Sequence, residues 1–528
     1  MYPTNAHRFF SRSFAQKIQI RSLSGESSIG SISTNNLREI LEKGRIQCGV
    51  SGMSVAVLHK GHLVFAEGFG RRNEQDPFTA ETLAPIGSLT KAFTATAIGE
   101  LVAEGKMDWD TTPVNKYLPE FELMDPVLTS QLTMVDLLSH RTNLPDSVDM
   151  SWYKSAEDSK ELIKRLRHVK MTSKLGSKCL YNNVMYGVAG EAGANVAGIP
   201  YPKLVETKVL EPLKLQNTGF SPTELEKISC NYALAFSADS FENAQKGLFK
   251  ISPIEYMGQA RAPAGDMYSN VLDLVRWGKT IMNGGEIDGK QVLNKDSVNE
   301  TLVPQTILAG PRPIPGFAPV LTYGMGWILD SVQGHRYYTH NGGVAGFVSK
   351  LDIYPDADLV IAQLSNTNLS VLTIGISRYI VDEILGLPKT KDWILDISVK
   401  SSKEQYDIVE EGLKGKLPER VPNKPAAQAL KAYEGEYSNP NFGDVTIRVE
   451  VDEKTEKETL FLKMGPLESK LEHYHFESFV GTLRDLIFGV VGLATFRTAS
   501  DGRVEGLHFF EEEFNRKSDL ASISPSKN

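Results

Sequence analysis

Apolar residues recur every four positions at Leu89, Phe93, Ala97 and Leu101, the spacing of one buried helix face. No proline falls between Ile86 and Trp109, and Gly105 is placed to end that helix. Upstream, residues 36–45 read as a short helix. Residues 53–60 and 62–66 read as two strands turning at Lys60-Gly61, a hairpin signal. Residues 133–140 open with a capping-box pattern in which Thr133 reaches toward Asp136, and Asn143-Leu144-Pro145 ends the segment. Further helices are expected over residues 184–196, 204–216 and 271–282. Residues 304–319 are rich in proline and read as a long loop. Residues 323–329 are strand-like, strands follow near 350–354 and 359–364, and 371–386 reads as a helix.

After residue 427 the pattern changes. Short strands at 435–437, 445–451, 459–463, 470–474, 493–498 and 505–510 alternate with turns, which predicts a small antiparallel barrel. Between the two regions, residues 391–425 lose periodicity and are dominated by Lys and Glu, as expected of a linker.

Composition narrows the classes. A chain of 528 residues has room for two or three domains, and 41% hydrophobic with 23% charged residues is ordinary for a soluble globular protein. A net charge of −8 argues against nucleic acid as a partner. No apolar run reaches transmembrane length; residues 486–493 are too few to span. Cys48, Cys179 and Cys230 support neither a disulfide framework nor a metal site. No dinucleotide or phosphate glycine loop, His-Glu-x-x-His motif or Gly-x-Ser-x-Gly elbow is present. At the N-terminus, Arg8, Arg12, Lys17 and Arg21 precede the first acidic residue, Glu26, with serines interspersed. Two readings stay open there, an organellar transit peptide and a plain terminus. The absence of an apolar core in this segment speaks against secretion, so the expected compartment is cytoplasmic or mitochondrial.

The candidate chemistry begins at Ser88. Ser88 and Lys91 are three residues apart, on one side of the expected helix. A serine hydroxyl becomes a nucleophile when a nearby base takes its proton, and a lysine can be that base if its pKa is lowered. Ser-x-x-Lys also occurs at Ser151–Lys154 and Ser524–Lys527, so the motif alone is weak. His140 reads as a helix-end packing or capping residue, and Asp266 and Asp273 as helix-start and surface carboxylates rather than a catalytic pair.

Ser88-x-x-Lys91, Tyr181-x-Asn183 and His340-x-Gly342 occur in that order, flanked by residues 132–140 and by Tyr323-Gly324-Met325-Gly326-Trp327. Together they resemble the serine β-lactamase and penicillin-binding-protein superfamily, especially class C β-lactamases, DD-peptidases, D-aminopeptidases and related esterases. The resemblance implies an α+β fold. An antiparallel sheet flanked by helices, with a helical subdomain, would occupy residues 36–390 after a leader at 1–35. A linker at 391–426 would lead to a barrel at 427–528, which resembles the lipocalin-like domain that follows such catalytic domains.

The resemblance also implies roles. Ser88 would form an acyl-enzyme, and Lys91 or Tyr181 would act as base, a choice the sequence leaves open. Asn183 would orient substrate or the lysine. His340, Asn341 and Gly342 would line the cleft, and the backbone N–H groups of Ser88 and Gly343 would form an oxyanion hole. Histidine at 340 replaces the lysine common in β-lactamases and would attract a substrate carboxylate only when protonated. Asn341 replaces a threonine or serine. Both departures weaken the case for penicillin as substrate. The expected activity is a serine hydrolase acting on an amide or ester of a small molecule or peptide. It would need no metal or other cofactor, and a homo-oligomer is compatible with it. The rival readings are an acyltransferase with the same acyl-enzyme and a non-catalytic or self-assembling scaffold.

Overall fold

The computed structural model describes residues 28–30, 32–145, 148–149, 159–171, 174–254, 259–310, 318–389, 391–414, 417–451, 457–465, 467–484, 489–510 and 512–517. Residues 1–27 of the N-terminal leader and the second and third Ser-x-x-Lys copies lie outside the described residues. Two compact units emerge: Met1–Trp109, Gly193–Tyr256 and Pro263–Glu404 form one, and Asp110–Ala192, Met257–Ala262 and Gln405–Asn528 the other.

The first unit is built on an eight-stranded sheet. In chain order its strands are β1 (Gly52–His59), β2 (His62–Gly70), β3 (Thr306–Ala309), β4 (Leu321–Tyr323), β5 (Ile328–Val332), β6 (His335–Val344), β7 (Phe347–Tyr354) and β8 (Leu359–Ser365). They lie in the order β3-β4-β5-β6-β7-β8-β1-β2, and every neighbouring pair is antiparallel. The β1–β2 hairpin forms where the sequence signals it. Lys60 and Gly61 both take positive φ, +48° and +75°, as the tight hairpin turn requires.

Five helices carry or support the residues considered below: α1 (Thr34–Gln47), α2 (Thr90–Ala103), α3 (Asn183–Ala197), α4 (Val271–Met282) and α5 (Leu372–Leu385). Helices α1 and α5 cover one face of the sheet, packing Leu37, Leu41, Ile376 and Ile380 against Val55, Val57, Leu359 and Ile361. Helix α4 packs on β7, β8 and β1. Its Gly278 lies next to Val360, Leu351 and Ile353, which point to the other face by strand alternation. With both faces covered, β8 is buried along its whole length. Each large aliphatic side chain so buried contributes about 1.5–3 kcal/mol.

Helix α2 departs from the one-face reading. Thr90 through Gly99 and Leu101 are all buried, so the helix runs through the interior rather than along a surface. Its Phe93 stacks on Trp277 of α4, with ring centroids 4.3 Å apart. Three other expectations change. Thr306–Ala309 is a strand inside the proline-rich stretch. The strand-like run 323–329 is broken into β4 and β5 by a turn in which Gly324 N donates to Trp327 O at 2.9 Å and Gly326 adopts φ +82°. Asp273 is buried rather than on the surface; it accepts from Asn217 N at 2.8 Å and Thr218 Oγ1 at 3.0 Å, and burial pushes its pKa up to about 6.

In the second unit the capping box at Thr133 forms, with Asp136 Oδ2 accepting from both the Thr133 N–H and its hydroxyl at 2.8 Å. Eight antiparallel strands from Gly435–Asn439 to Glu512–Arg516 close a barrel. Its interior is filled by side chains including Tyr437, Phe442, Phe479, Phe496, Phe509 and Phe514, as in other small barrels. Six strands are legible from sequence; Ser478–Arg484 and the closing strand Glu512–Arg516 are additional. The stretch 391–425 carries helical turns at Trp393–Val399 and Lys400–Lys414. Among the described residues, no helix is long and apolar enough to cross a membrane.

Candidate active site

The site is built on the tight turn that opens α2. Ile86 is fixed from two sides: its N–H donates to Met267 O at 2.9 Å, and its carbonyl accepts from Ser349 Oγ at 2.6 Å. Gly87 then turns the chain at φ +52°, a conformation that costs other residues about 1–2 kcal/mol. A Cβ at Gly87 would stand 2.8 Å from the Gly343 backbone nitrogen, and one at Gly342 would stand 1.8 Å from Ile86 O. Glycine at both positions is what lets β6 close against this turn.

Ser88 follows in a 3-10 turn that runs into α2. From Thr82 to Gly99, Ser88 alone keeps partial exposure. Lys91 is fully buried, and its Nζ donates to Ser88 Oγ at 3.0 Å and to Ala264 O at 2.8 Å. A hydroxyl and an amine thus sit within direct proton-transfer distance. The Ala264 carbonyl belongs to a segment that sequence reasoning took only as the approach to α4. The same segment buttresses α2 again, with Thr94 Oγ1 donating to Pro263 O at 2.6 Å.

Strand β6 carries the third motif. It pairs with β5 only as far as Thr339, but with β7 as far as Val344. One edge of residues 340–344 therefore has no strand partner among the described residues. Antiparallel strands direct alternate backbone N–H and C=O pairs to each edge, so this edge offers main-chain groups to a bound chain. Successive residues face opposite sides. Gly342 shares its side with Ser349 and Ile86, and His340 lies on that side too. Asn341 is on the other side, exposed, with its Oδ1 accepting from Lys350 Nζ at 3.2 Å.

His340 is only 3% exposed, and both ring nitrogens are bonded within the protein. Its Nδ1 lies 2.6 Å from Asn341 O, and its Nε2 lies 2.9 Å from the Tyr323 hydroxyl. A carbonyl only accepts, so Nδ1 carries the proton and Nε2 accepts from Tyr323. Burial first, and then the Lys91 and Lys350 charges, push the His340 pKa down to about 3. The imidazole is therefore neutral at any ordinary working pH.

This has a measurable consequence with a definite sign. Below pH 6.5 the unfolded chain's histidine takes a proton that folded His340 refuses until about pH 3. Acid therefore favours unfolding. Between pH 6 and 4, the stability of the native protein should fall relative to a His340→Gln variant by about 1.4 kcal/mol per pH unit, read from urea unfolding. A pH-independent difference would contradict a buried neutral His340.

Tyr181 and Asn183 belong to the second unit. Tyr181 is partly exposed and packs on His140, with ring centroids 4.1 Å apart. His140 is fully buried, takes φ +60°, and its Nδ1 accepts from Asn182 N at 3.1 Å. It thus shapes the Tyr181 loop by packing. Asn183 starts α3, and its Nδ2 donates to Asp149 Oδ2 at 2.7 Å. Asp149 also accepts from the Asn183 and Val184 N–H groups at 2.9 and 3.2 Å.

This arrangement of helix, sheet and Ser-x-x-Lys pair defines a serine acyl-transfer fold, and comparison with known proteins gives its family. The beta-lactamase family model matches residues 37–380, and the chain belongs to that family of hydrolases. A second model, a domain of unknown function (DUF3471), matches residues 419–521, the region of the barrel. An unguisins hydrolase of Aspergillus campestris is 23% identical over 425 residues, covering 78% of this chain and 76% of its own length. The D-alanyl-D-alanine-carboxypeptidase/endopeptidase AmpH of Escherichia coli K12 is 24% identical over 64% of this chain and 86% of its own. The chain spans about half to two thirds of the length of several other curated relatives. Among solved structures, the octameric penicillin-binding protein homologue of Pyrococcus abyssi superposes with a TM-score of 0.59 at 21% identity, covering 92% of this chain and all of that one.

Proposed function

We propose that the protein hydrolyses amides or esters through an acyl-enzyme on Ser88. The carrying observation is the 3.0 Å contact between Lys91 Nζ and the one partly exposed residue of an otherwise buried run. Ser88 Oγ attacks the substrate carbonyl carbon while its proton passes to Lys91, which acts in its neutral form with its lone pair turned to the hydroxyl. The oxyanion is received by the backbone N–H groups of Ser88 and Gly343. The carbonyl–N or carbonyl–O bond then breaks and the leaving group takes a proton. Water attacks the acyl-enzyme, releases the acid and restores the serine. Tyr181 is assigned the proton delivered to the leaving group, and Asn183 the orientation of the substrate.

His340 bears on the substrate class. Neutral, and with both nitrogens bonded internally, it offers no cation to a free carboxylate. The preferred acyl donors are therefore peptides, amides or esters without a carboxylate beside the scissile bond, laid along the open edge of β6. The hydrolase and peptidase names of the relatives agree with hydrolysis of an amide or ester bond.

The test is intact mass spectrometry after incubation with activated esters and β-lactams. An adduct is expected on Ser88; its absence across a broad panel would overturn the proposal. Lys91→Met should slow acylation by about 10²–10⁴-fold, the usual worth of a positioned base. Tyr181→Phe should depress amide turnover far more than turnover of nitrophenyl esters, whose leaving group needs no proton. Equal losses on both substrates would remove Tyr181 from that role.

A further inference from the structure

The first unit holds a cavity of about 480 Å³ against α1 and α5, the helices that cover one face of the sheet. That face is opposite the one carrying His340 and Gly342. The cavity is lined by Ile40 and Gly44 of α1, Tyr379 of α5, and the turn Trp393-Ile394-Leu395. Its volume is in the range of small-molecule sites, and its walls combine aliphatic and aromatic side chains with charged ones.

The polar groups around it are unequally committed. Asp382 accepts from the Trp393 indole N–H at 2.5 Å, Glu383 pairs with Lys389, and Asp392 Oδ1 caps the N–H groups of Ile394 and Leu395 at 2.9 Å. Each of the three carboxylates of the lining thus already accepts from a protein group, Glu383 from a cation and Asp382 and Asp392 from neutral N–H groups. Lys43 and Lys391, also in the lining, have no carboxylate partner among the described residues. Lys391 Nζ lies 4.9 Å over the Trp393 ring, held at the edge of the cavity by a cation–π contact. Gln47 adds a buried Oε1 that has no hydrogen-bond partner among the described residues. Such an atom costs about 1–3 kcal/mol unless a donor reaches it. What the cavity leaves for a ligand is an apolar bed, two cations and one acceptor.

We propose that this cavity binds a medium-chain acyl carboxylate. The chain lies along Ile40, Tyr379, Trp393 and Ile394, and the carboxylate meets Lys43 and Lys391. An N–H next to the acid, as in an N-acylglycine, completes Gln47 Oε1. The site is separate from the Ser88 chemistry and does not depend on it.

The experiment titrates the full-length protein with decanoate, N-decanoylglycine, decanol and decyltrimethylammonium below their micellar concentrations, following tryptophan fluorescence. Saturable changes are expected for the two carboxylates, with N-decanoylglycine the tighter. The signal should vanish in Trp393→Phe. The double charge reversal Lys43→Glu/Lys391→Glu should weaken binding at least about tenfold, on the scale of losing charge-assisted contacts, with Ser88 labelling unchanged. Both lysines are exposed, so these variants keep the fold. Equal binding of the neutral or cationic amphiphile would overturn the proposal. So would affinity unaffected by charge reversal, a signal that survives Trp393→Phe, or no response to either carboxylate.

Discussion

Ser88→Ala is expected to lower turnover on any responsive ester or amide by at least about 10³-fold, the order for losing a nucleophile. It should also abolish covalent labelling. The fold should survive, because Ser88 is partly exposed and Lys91 keeps its bond to the Ala264 carbonyl. Circular dichroism and urea unfolding close to those of the native protein would separate lost chemistry from lost structure. Turnover retained within about tenfold would place the reaction elsewhere. Because Lys91 keeps the Ala264 carbonyl as a partner in this variant, a ground-state complex with substrate should still form. The loss is therefore expected in kcat more than in KM.

The second large effect lies behind the third motif. Lys350 and Asp352 are 4% and 0% exposed, with Nζ and Oδ1 2.7 Å apart. Lys350 Nζ also reaches Tyr337 OH at 2.9 Å, Thr339 Oγ1 at 2.8 Å and Asn341 Oδ1 at 3.2 Å. These are three same-side residues of β6. Asp352 accepts from Tyr337 OH at 2.7 Å, Thr339 Oγ1 at 2.6 Å and Ser377 Oγ. Burial alone would raise the Asp352 pKa, but the Lys350 charge and these hydrogen bonds outweigh it and hold the carboxyl below its ordinary range. Asp352→Ala would strand a buried ammonium and should cost about 3–5 kcal/mol of stability, read by urea unfolding. Lys350→Met/Asp352→Leu should cost less than the single change, because no lone charge remains. A single-variant loss under about 1 kcal/mol would show that the pair is not the clamp its geometry describes.

Much of the fold was legible because local signals and the final structure agree. Lys60-Gly61 between alternating runs is a hairpin turn and became one. Asn270, just ahead of the helix read over 271–282, caps Asp273 N at 2.9 Å. The misreadings have physical causes. Thr306–Ala309 hid among prolines because it is a four-residue edge strand with little pattern of its own. The closing barrel strand Glu512–Arg516 has one buried apolar residue, Phe514, too few to show alternation.

The same holds for the site. Ser88 and Lys91 stood out because both act through side chains at helical spacing. The Ala264 carbonyl did not, because a backbone acceptor leaves no mark on residue identity. Tyr323 was seen only as part of a flanking stretch, 17 residues before the histidine whose Nε2 it bonds. Lys350 and Asp352, two apart on a strand, look like a solvated face. Only the tertiary fold shows that α5 covers them with Ser377. A possible sequence signal was the run of polar residues Tyr337, Thr339 and Asn341 on the same side of the neighbouring strand.

Because Ser88 and Lys91 sit three residues apart where a 3-10 turn runs directly into α2, their mutual concentration is set by covalent geometry. No hinge or loop has to bring them together, so none of the entropy of assembling the pair remains to be lost at the moment of reaction. The readiness of the serine should consequently persist through motions of the surrounding loops. On heating, reactivity toward a small acylating probe should disappear in the same transition as the helix, rather than fade in advance of it.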